Sequence, residues 1–189
     1  MLKHVFTLIL FSSLSITQLT YAEEKSIEIT GGSLSKALLD TPLIEVGNAK
    51  FSVLFWDIYH SKLLTPTGRY FDVKDPNSQV AYQPLLFKIK YLRDITQKDL
   101  IEKTIEQWKH LAINEKKYLH YITLLQTMWP NIKTGDSLAL LITENKSDFY
   151  FNDNFIGSIS GEDFGKLFLA IWLSPNTSKP KLRKQLLGQ

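Results

Sequence analysis

The sequence predicts an α+β domain, an antiparallel β-sheet packed on one face by a layer of α-helices. Its elements run strands, two helices, strands, two helices, an order that segregates the two kinds rather than alternating them. Between residues 134 and 159, apolar runs are parted by the turn-forming triplets Thr134-Gly135-Asp136, Glu144-Asn145-Lys146 and Asn152-Asp153-Asn154, the spacing of an antiparallel meander. Two stretches after residue 95 repeat apolar side chains every three or four residues, which makes one helical face.

The first 22 residues have a basic start at Lys3, an apolar stretch from Val5 to Leu14, and Thr20-Tyr21-Ala22 before a cleavage point. That is the layout of a signal peptide, and its uninterrupted apolar part ends at Phe11, short of the about 20 residues a bilayer span needs. Cleavage after Ala22, a single domain over residues 23–189 and a periplasmic or secreted location are expected.

Within that domain, residues 27–29 and 43–46 read as short strands, the second ending at Gly47-Asn48. Residues 50–64 read as one longer strand, with both alternating sets apolar: Phe51/Val53/Phe55 and Leu54/Trp56/Ile58. A strand of that kind is expected in the middle of a sheet, covered on both sides. Thr65-Pro66-Thr67-Gly68 turns the chain, residues 70–73 are expected to pair back, and residues 85–92 alternate, with Lys88 and Lys90 facing away from Phe87, Ile89 and Tyr91.

Thr96 with Asp99 three residues later resembles a capping box. Leu100, Ile101, Thr104, Ile105, Trp108 and Leu111 then form the apolar face of a helix. A second helix over residues 115–128 carries Leu119, Ile122 and Leu125, and Pro130 stops it. Strands follow at 138–143, 149–151 and 155–159. An apolar helix over 162–173 and a basic one through Lys181, Arg183 and Lys184 close the chain. With Lys179 these form a cluster that reads as a solvated helix face whose charge suits the helix dipole, docking of an anion or a membrane being the lesser reading.

Composition narrows the function. A net charge of +3 is too weak a field to argue for nucleic acid or an anionic membrane. Without cysteine there is no disulfide, thiol chemistry or lipid anchor, so packing alone must hold the fold. Phosphate loops, dinucleotide fingerprints and nucleophile elbows are missing, and His60, His110 and His120 lack metal-ligand spacing. No cofactor and no metal are expected.

Asp57 is the unusual residue, a carboxylate inside the apolar run FWDIYHSKLLTP. With period-two alternation it shares a face with Phe55 and Tyr59, and a buried carboxylate must be paired, hydrogen-bonded or protonated. One reading pairs it with Arg93 or with backbone amides at a bulge. A second makes Asp57 and Tyr59 the polar end of an apolar pocket, and a third leaves Asp57 at an exposed strand end.

Four segments, VGNAKFSVLFWDIYHSKLLTPTGRY, LLFKIKYLRDITQKDLIEKTIEQWKHL, FYFNDNFIGSI and FGKLFLAIWLSPNTSKPKLRKQLLG, together resemble the exported bacterial branch of the chalcone isomerase-like family. The resemblance implies an open-faced sandwich with a ligand cleft between sheet and helices. Some members of that family cyclise chalcones, and others bind fatty acids without chemistry. Carried over residue by residue, the catalytic tyrosine falls on Thr96, a late substrate-contacting threonine near Ile171, and a strand threonine on Ser52 or Leu54. The family's arginine has no counterpart, because no Arg or Lys stands between Ala37 and Ala49. Chalcone cyclisation is therefore not expected.

The leading expectation is a non-catalytic monomer that binds an apolar, fatty acid-like small molecule through Asp57, Tyr59, Tyr91, Arg93, Trp108 and Trp172. The alternatives are a scaffold whose cleft is filled by side chains such as Phe87, Trp129 and Phe168, and an isomerase or lyase of other chemistry using Asp57, Tyr59 or Tyr91.

Overall fold

Period-two alternation in the strands and Thr96 at a helix start shape a computed structural model that describes residues 32–70 and 84–189. The expected leader, the strand at 27–29 and most of the pairing expected at 70–73 lie outside the described residues. The strands are β1 (Ile44–Val53), β2 (Trp56–Thr65), β3 (Leu85–Tyr91), β4 (Ser137–Ile142), β5 (Lys146–Phe151) and β6 (Asn154–Ser160). They form one antiparallel sheet in sequence order, β1 to β6. The helices are α1 (Leu34–Ala37), α2 (Gln97–His110), α3 (Leu119–Met128), α4 (Asp163–Leu173) and α5 (Pro180–Leu186).

One face of the sheet carries Leu63, Phe87, Leu140 and Phe149, and the main core forms where Trp108, Leu125, Phe164 and Leu186 of the helices meet them. The opposite face holds a smaller cluster, in which Leu34 of α1 covers Leu86, Leu141 and Tyr150. The α+β architecture read from the sequence is therefore the one observed, with α1 as an addition on the far face.

Helix α2 starts where the capping pattern put it. The Thr96 hydroxyl accepts the Asp99 backbone N–H at 3.1 Å and donates to the Asp99 carboxylate at 2.7 Å, which satisfies a donor the first turn leaves open. The helix expected over 115–128 is interrupted: a single 3-10 turn, Glu115–Lys117, precedes α3.

The expected long central strand over 50–64 is instead a hairpin at the edge of the sheet. Leu54 and Phe55 form its two-residue turn, flanked by the pair Val53 and Trp56. Leu54 adopts φ +53°, a conformation that costs a non-glycine residue about 1–2 kcal/mol. The doubly apolar pattern had a different cause from central burial: its apolar residues around the turn are exposed. Nor does the first strand end at Gly47-Asn48. β1 runs through both, and Gly47 is there because a Cβ would collide with the Gln185 and Leu186 carbonyl oxygens of α5.

Candidate functional site

A cavity of about 200 Å³ lies between the sheet and helices α2 and α4. That exceeds the ~150 Å³ of an engineered apolar cavity able to hold benzene. Its deep walls are Phe87 and Leu140 from the sheet, Trp129, and Phe168 of α4. These rings brace one another, Phe87 to Trp172 at 4.7 Å and Trp129 to Phe168 at 5.8 Å between centroids. The Trp129 indole N–H has no hydrogen-bond partner among the described residues.

Polar groups gather on one side. Lys103, Thr104 and Gln107 descend one face of α2, and Ser178 and Lys179 come from the segment between α4 and α5. The Ser178 hydroxyl donates to Gln107 Oε1 at 2.6 Å, holding the two segments together. Lys103 is engaged by Glu106 at 2.6 Å. The Lys179 ammonium lies 5.2 Å from the centre of the Phe51 ring, and among the described residues no carboxylate pairs with it. Asp99, Lys103 and Lys179 are exposed, so the cavity reaches solvent along this side.

Tyr59, Tyr91 and Trp172 are brought together in the wall. Trp172 Nε1 donates to the Tyr59 oxygen at 2.9 Å, and the rings of Tyr59 and Tyr91 meet edge to face at 6.1 Å. Burial pushes the Tyr59 phenol up to about 12, with the Trp172 hydrogen bond acting the other way. Burial pushes Tyr91 up as well, helped by Tyr59. Both are neutral at physiological pH, and no acceptor for the Tyr59 proton occurs among the described residues. The pair can donate hydrogen bonds into the cavity, but it offers no phenolate base.

The other three residues singled out in the sequence lie elsewhere. Asp57 is not buried and not on the Tyr59 face. Phe51 pairs with Tyr59 and Ser52 with Asp57, so Ile58 is an extra residue in β2 that breaks the alternation. Asp57 therefore meets Lys50 at 2.9 Å and Ser52 at 2.6 Å on an exposed surface. The Ser52 hydroxyl first, then the Lys50 ammonium, hold its carboxyl below the usual range. Arg93 does not pair with Asp57; its guanidinium lies 3.9 Å from the centre of the Trp56 ring. Trp108 is fully buried, donates to the Leu167 carbonyl at 3.0 Å and stacks on Tyr118, so it belongs to the core.

The positions carried over from the resemblance also differ in role. Thr96 is spent on the helix cap, Ile171 is an apolar wall residue, Ser52 holds Asp57, and Leu54 sits in the hairpin turn. Sequence reasoning did not single out Lys103 or Gln107, and it placed Lys179 only in a basic cluster with Lys181, Arg183 and Lys184. Leu100, Thr104 and Gln107 at helical spacing could have flagged the first two, but nothing local sets Lys179 apart from the rest of that cluster.

Residues 46–188 match the family model described as chalcone isomerase-like. An uncharacterised protein of Haemophilus influenzae is 26% identical over 144 residues, 76% of this chain and 67% of that protein. The crystal structure of a fatty-acid binding protein from Arabidopsis thaliana matches with a TM-score of 0.57 at 13% identity, covering 78% of this chain and 87% of that one. At that identity the likeness is one of fold.

Proposed function

The chain belongs to the chalcone isomerase-like family, and from that premise we propose that it is a non-catalytic binding protein for a fatty acid-like molecule. The observation that carries this reading is the cavity, apolar at depth, with Lys103 and Lys179 beside Asp99 on its solvent side and no carboxylate among the described residues paired with Lys179. An acyl chain packs against Phe87, Leu140 and Phe168, while its carboxylate stays with Lys179 and accepts from Tyr59. The Arabidopsis neighbour, described as fatty-acid binding, supports the same class of ligand.

That neither buried phenol ionises near neutral pH supports binding over chemistry. We further propose that the protein works outside the cytoplasm after losing residues 1–22, on the strength of the leader-like order of those residues.

Native mass spectrometry of protein isolated from its own cell envelope tests both parts. The expected result is a mature mass beginning at Glu23 with a carboxylic acid carried along. Thermal melts with saturated fatty acids of increasing length should show stabilisation, about 2.7 kcal/mol at a hundredfold excess over Kd. Leu100→Trp, which fills the cavity wall, should abolish it. A ligand-free mass together with no stabilisation by any chain length would sink the binding reading, and an intact Met1 would sink export.

A further inference from the structure

We propose that the tip of the β1–β2 hairpin is a membrane anchor that seats the domain on a bilayer carrying anionic headgroups. Val53, Leu54, Phe55 and Trp56 are consecutive and 46%, 87%, 97% and 57% exposed. An exposed apolar run of this kind, with Phe55 almost wholly in solvent, marks an interaction site rather than a structural turn. A turn alone has less strained solutions. Glycine or asparagine suits the positive φ that Leu54 adopts, yet the chain places a leucine there and a phenylalanine beside it.

The shape and the charge together select the occupant. The tip is convex and two strands wide, and the ends of four side chains fall short of the roughly 800 Å² per partner that a stable protein interface buries. A lipid surface makes no such demand. Arg93 stacks on Trp56 at 3.9 Å, Lys179 stands 5.2 Å from the Phe51 ring, and the carboxylate nearest the tip on these strands, Asp57, is already offset by Lys50.

At about 3.4 Å per residue, Phe51 lies about 7 Å and Lys50 about 10 Å behind Val53. Apolar segments sink about 5–10 Å into the boundary between headgroups and acyl chains. Leu54 and Phe55 then reach the acyl region while Arg93 and Lys179 stand among the headgroups beside the neutral Lys50–Asp57 pair, with Trp56 at the level an interfacial tryptophan prefers. Phe51, Ile58 and Tyr59, directly behind the tip, are cavity walls, so docking sets the cavity beside a store of acyl chains. The anchor rests on the tip and on Arg93, neither of which the cavity's ligand uses, and Lys179 only adds to it.

Vesicle flotation of the protein in the form that accumulates in the cell tests this, with phosphatidylcholine alone and with phosphatidylcholine doped with phosphatidylglycerol. The wild type should float with the doped vesicles. Leu54→Ser/Phe55→Ser, which touches only exposed side chains and should melt like the wild type, should lose about tenfold or more in partitioning. Arg93→Gln should weaken flotation with doped vesicles and leave the neutral ones unchanged. Equal flotation of wild type and double variant, or none by the wild type, overturns the anchor. Equal flotation with neutral and doped vesicles overturns its anionic preference. A concentration-dependent dimer that the double variant abolishes would overturn it in favour of self-association.

Discussion

Trp172 Nε1 donates to the Tyr59 oxygen at 2.9 Å, joining α4 to β2 through the wall of the cavity. The bond holds the phenol where its own proton meets no acceptor among the described residues, and burial pushes its pKa up to about 12. In the unfolded chain the phenol titrates near 10. Between about pH 10 and 12 the unfolded state therefore binds fewer protons than the folded one, and stability falls as pH rises, by up to about 1.4 kcal/mol per pH unit from this group. Tyr91, also raised by burial, adds to the slope. Tyr59→Phe should lose about 1–2 kcal/mol at pH 7, where it leaves the Trp172 N–H unpaired, but fall less steeply above pH 10. Urea unfolding of both proteins at pH 7, 10 and 11 checks this, and parallel pH profiles would contradict it.

Asp57→Ala should be mild. Its carboxylate and the Lys50 ammonium are 46% and 49% exposed, so water replaces what the substitution removes. The urea midpoint at pH 7 should stay close to that of the wild type, and protection by fatty acids should be unchanged because the residue faces away from the cavity. A large loss of stability would mean that Asp57 has a buried partner after all.

The hairpin explains both what was legible in the sequence and what was not. Period-two alternation marked residues 85–92 as a strand with Lys88 and Lys90 outward, and that holds because β3 is central and its lysines share one face. Applied to residues 50–64, the same rule fails twice. The turn at Leu54-Phe55 has none of the glycine or asparagine that announces a hairpin, so two strands read as one. The bulge at Ile58 then shifts the register, and a register step of one residue exchanges the faces, which put Asp57 with Tyr59 on paper and apart in space. Tyr59, Tyr91 and Trp172 do line the cavity, Tyr91 and Trp172 from segments of clear periodicity and Tyr59 from the strand where the alternation breaks. Lys179 stood out only as part of a basic cluster, because its place at the cavity depends on how the segment after α4 folds back onto β1.

Gly47→Ala should be among the more damaging single-methyl changes. The added Cβ would lie 2.7 Å from the Leu186 carbonyl oxygen and 2.9 Å from the Gly188 nitrogen, both backbone atoms that cannot rotate aside. Displacing α5 from β1 should cost about 3 kcal/mol, the upper end for overpacking, and lower the urea midpoint accordingly. A midpoint like that of the wild type would show that α5 is free to move.

Lys179→Gln should weaken binding of a fatty acid without changing the fold, since the ammonium is exposed and lacks a carboxylate partner among the described residues. Losing one partly solvated charge contact to a carboxylate should cost about 1 kcal/mol, or about fivefold in Kd. Combining it with Lys103→Gln should cost more, while the corresponding alcohol should bind all these proteins alike. Titration calorimetry with matched acid and alcohol reads the difference directly. Equal losses for acid and alcohol would place the head group elsewhere.

Cyclisation of a chalcone requires groups that hold a nucleophilic phenolate and stabilise the charge developing on the carbonyl oxygen. The Thr96 hydroxyl is already donated to Asp99 and accepts the Asp99 N–H, and Ile171 has no polar atom to offer from its side chain. Lys103 is held by Glu106, and Lys179 stands exposed at the solvent side. Tyr59 can donate one hydrogen bond, but with its pKa near 12 it cannot take the substrate's phenolic proton at neutral pH. The protein should therefore leave chalcone absorbance decaying at the rate of buffer alone, at any pH from 6 to about 9. A faster decay that disappears in Tyr59→Phe would make Tyr59 a catalytic acid and overturn the non-catalytic reading.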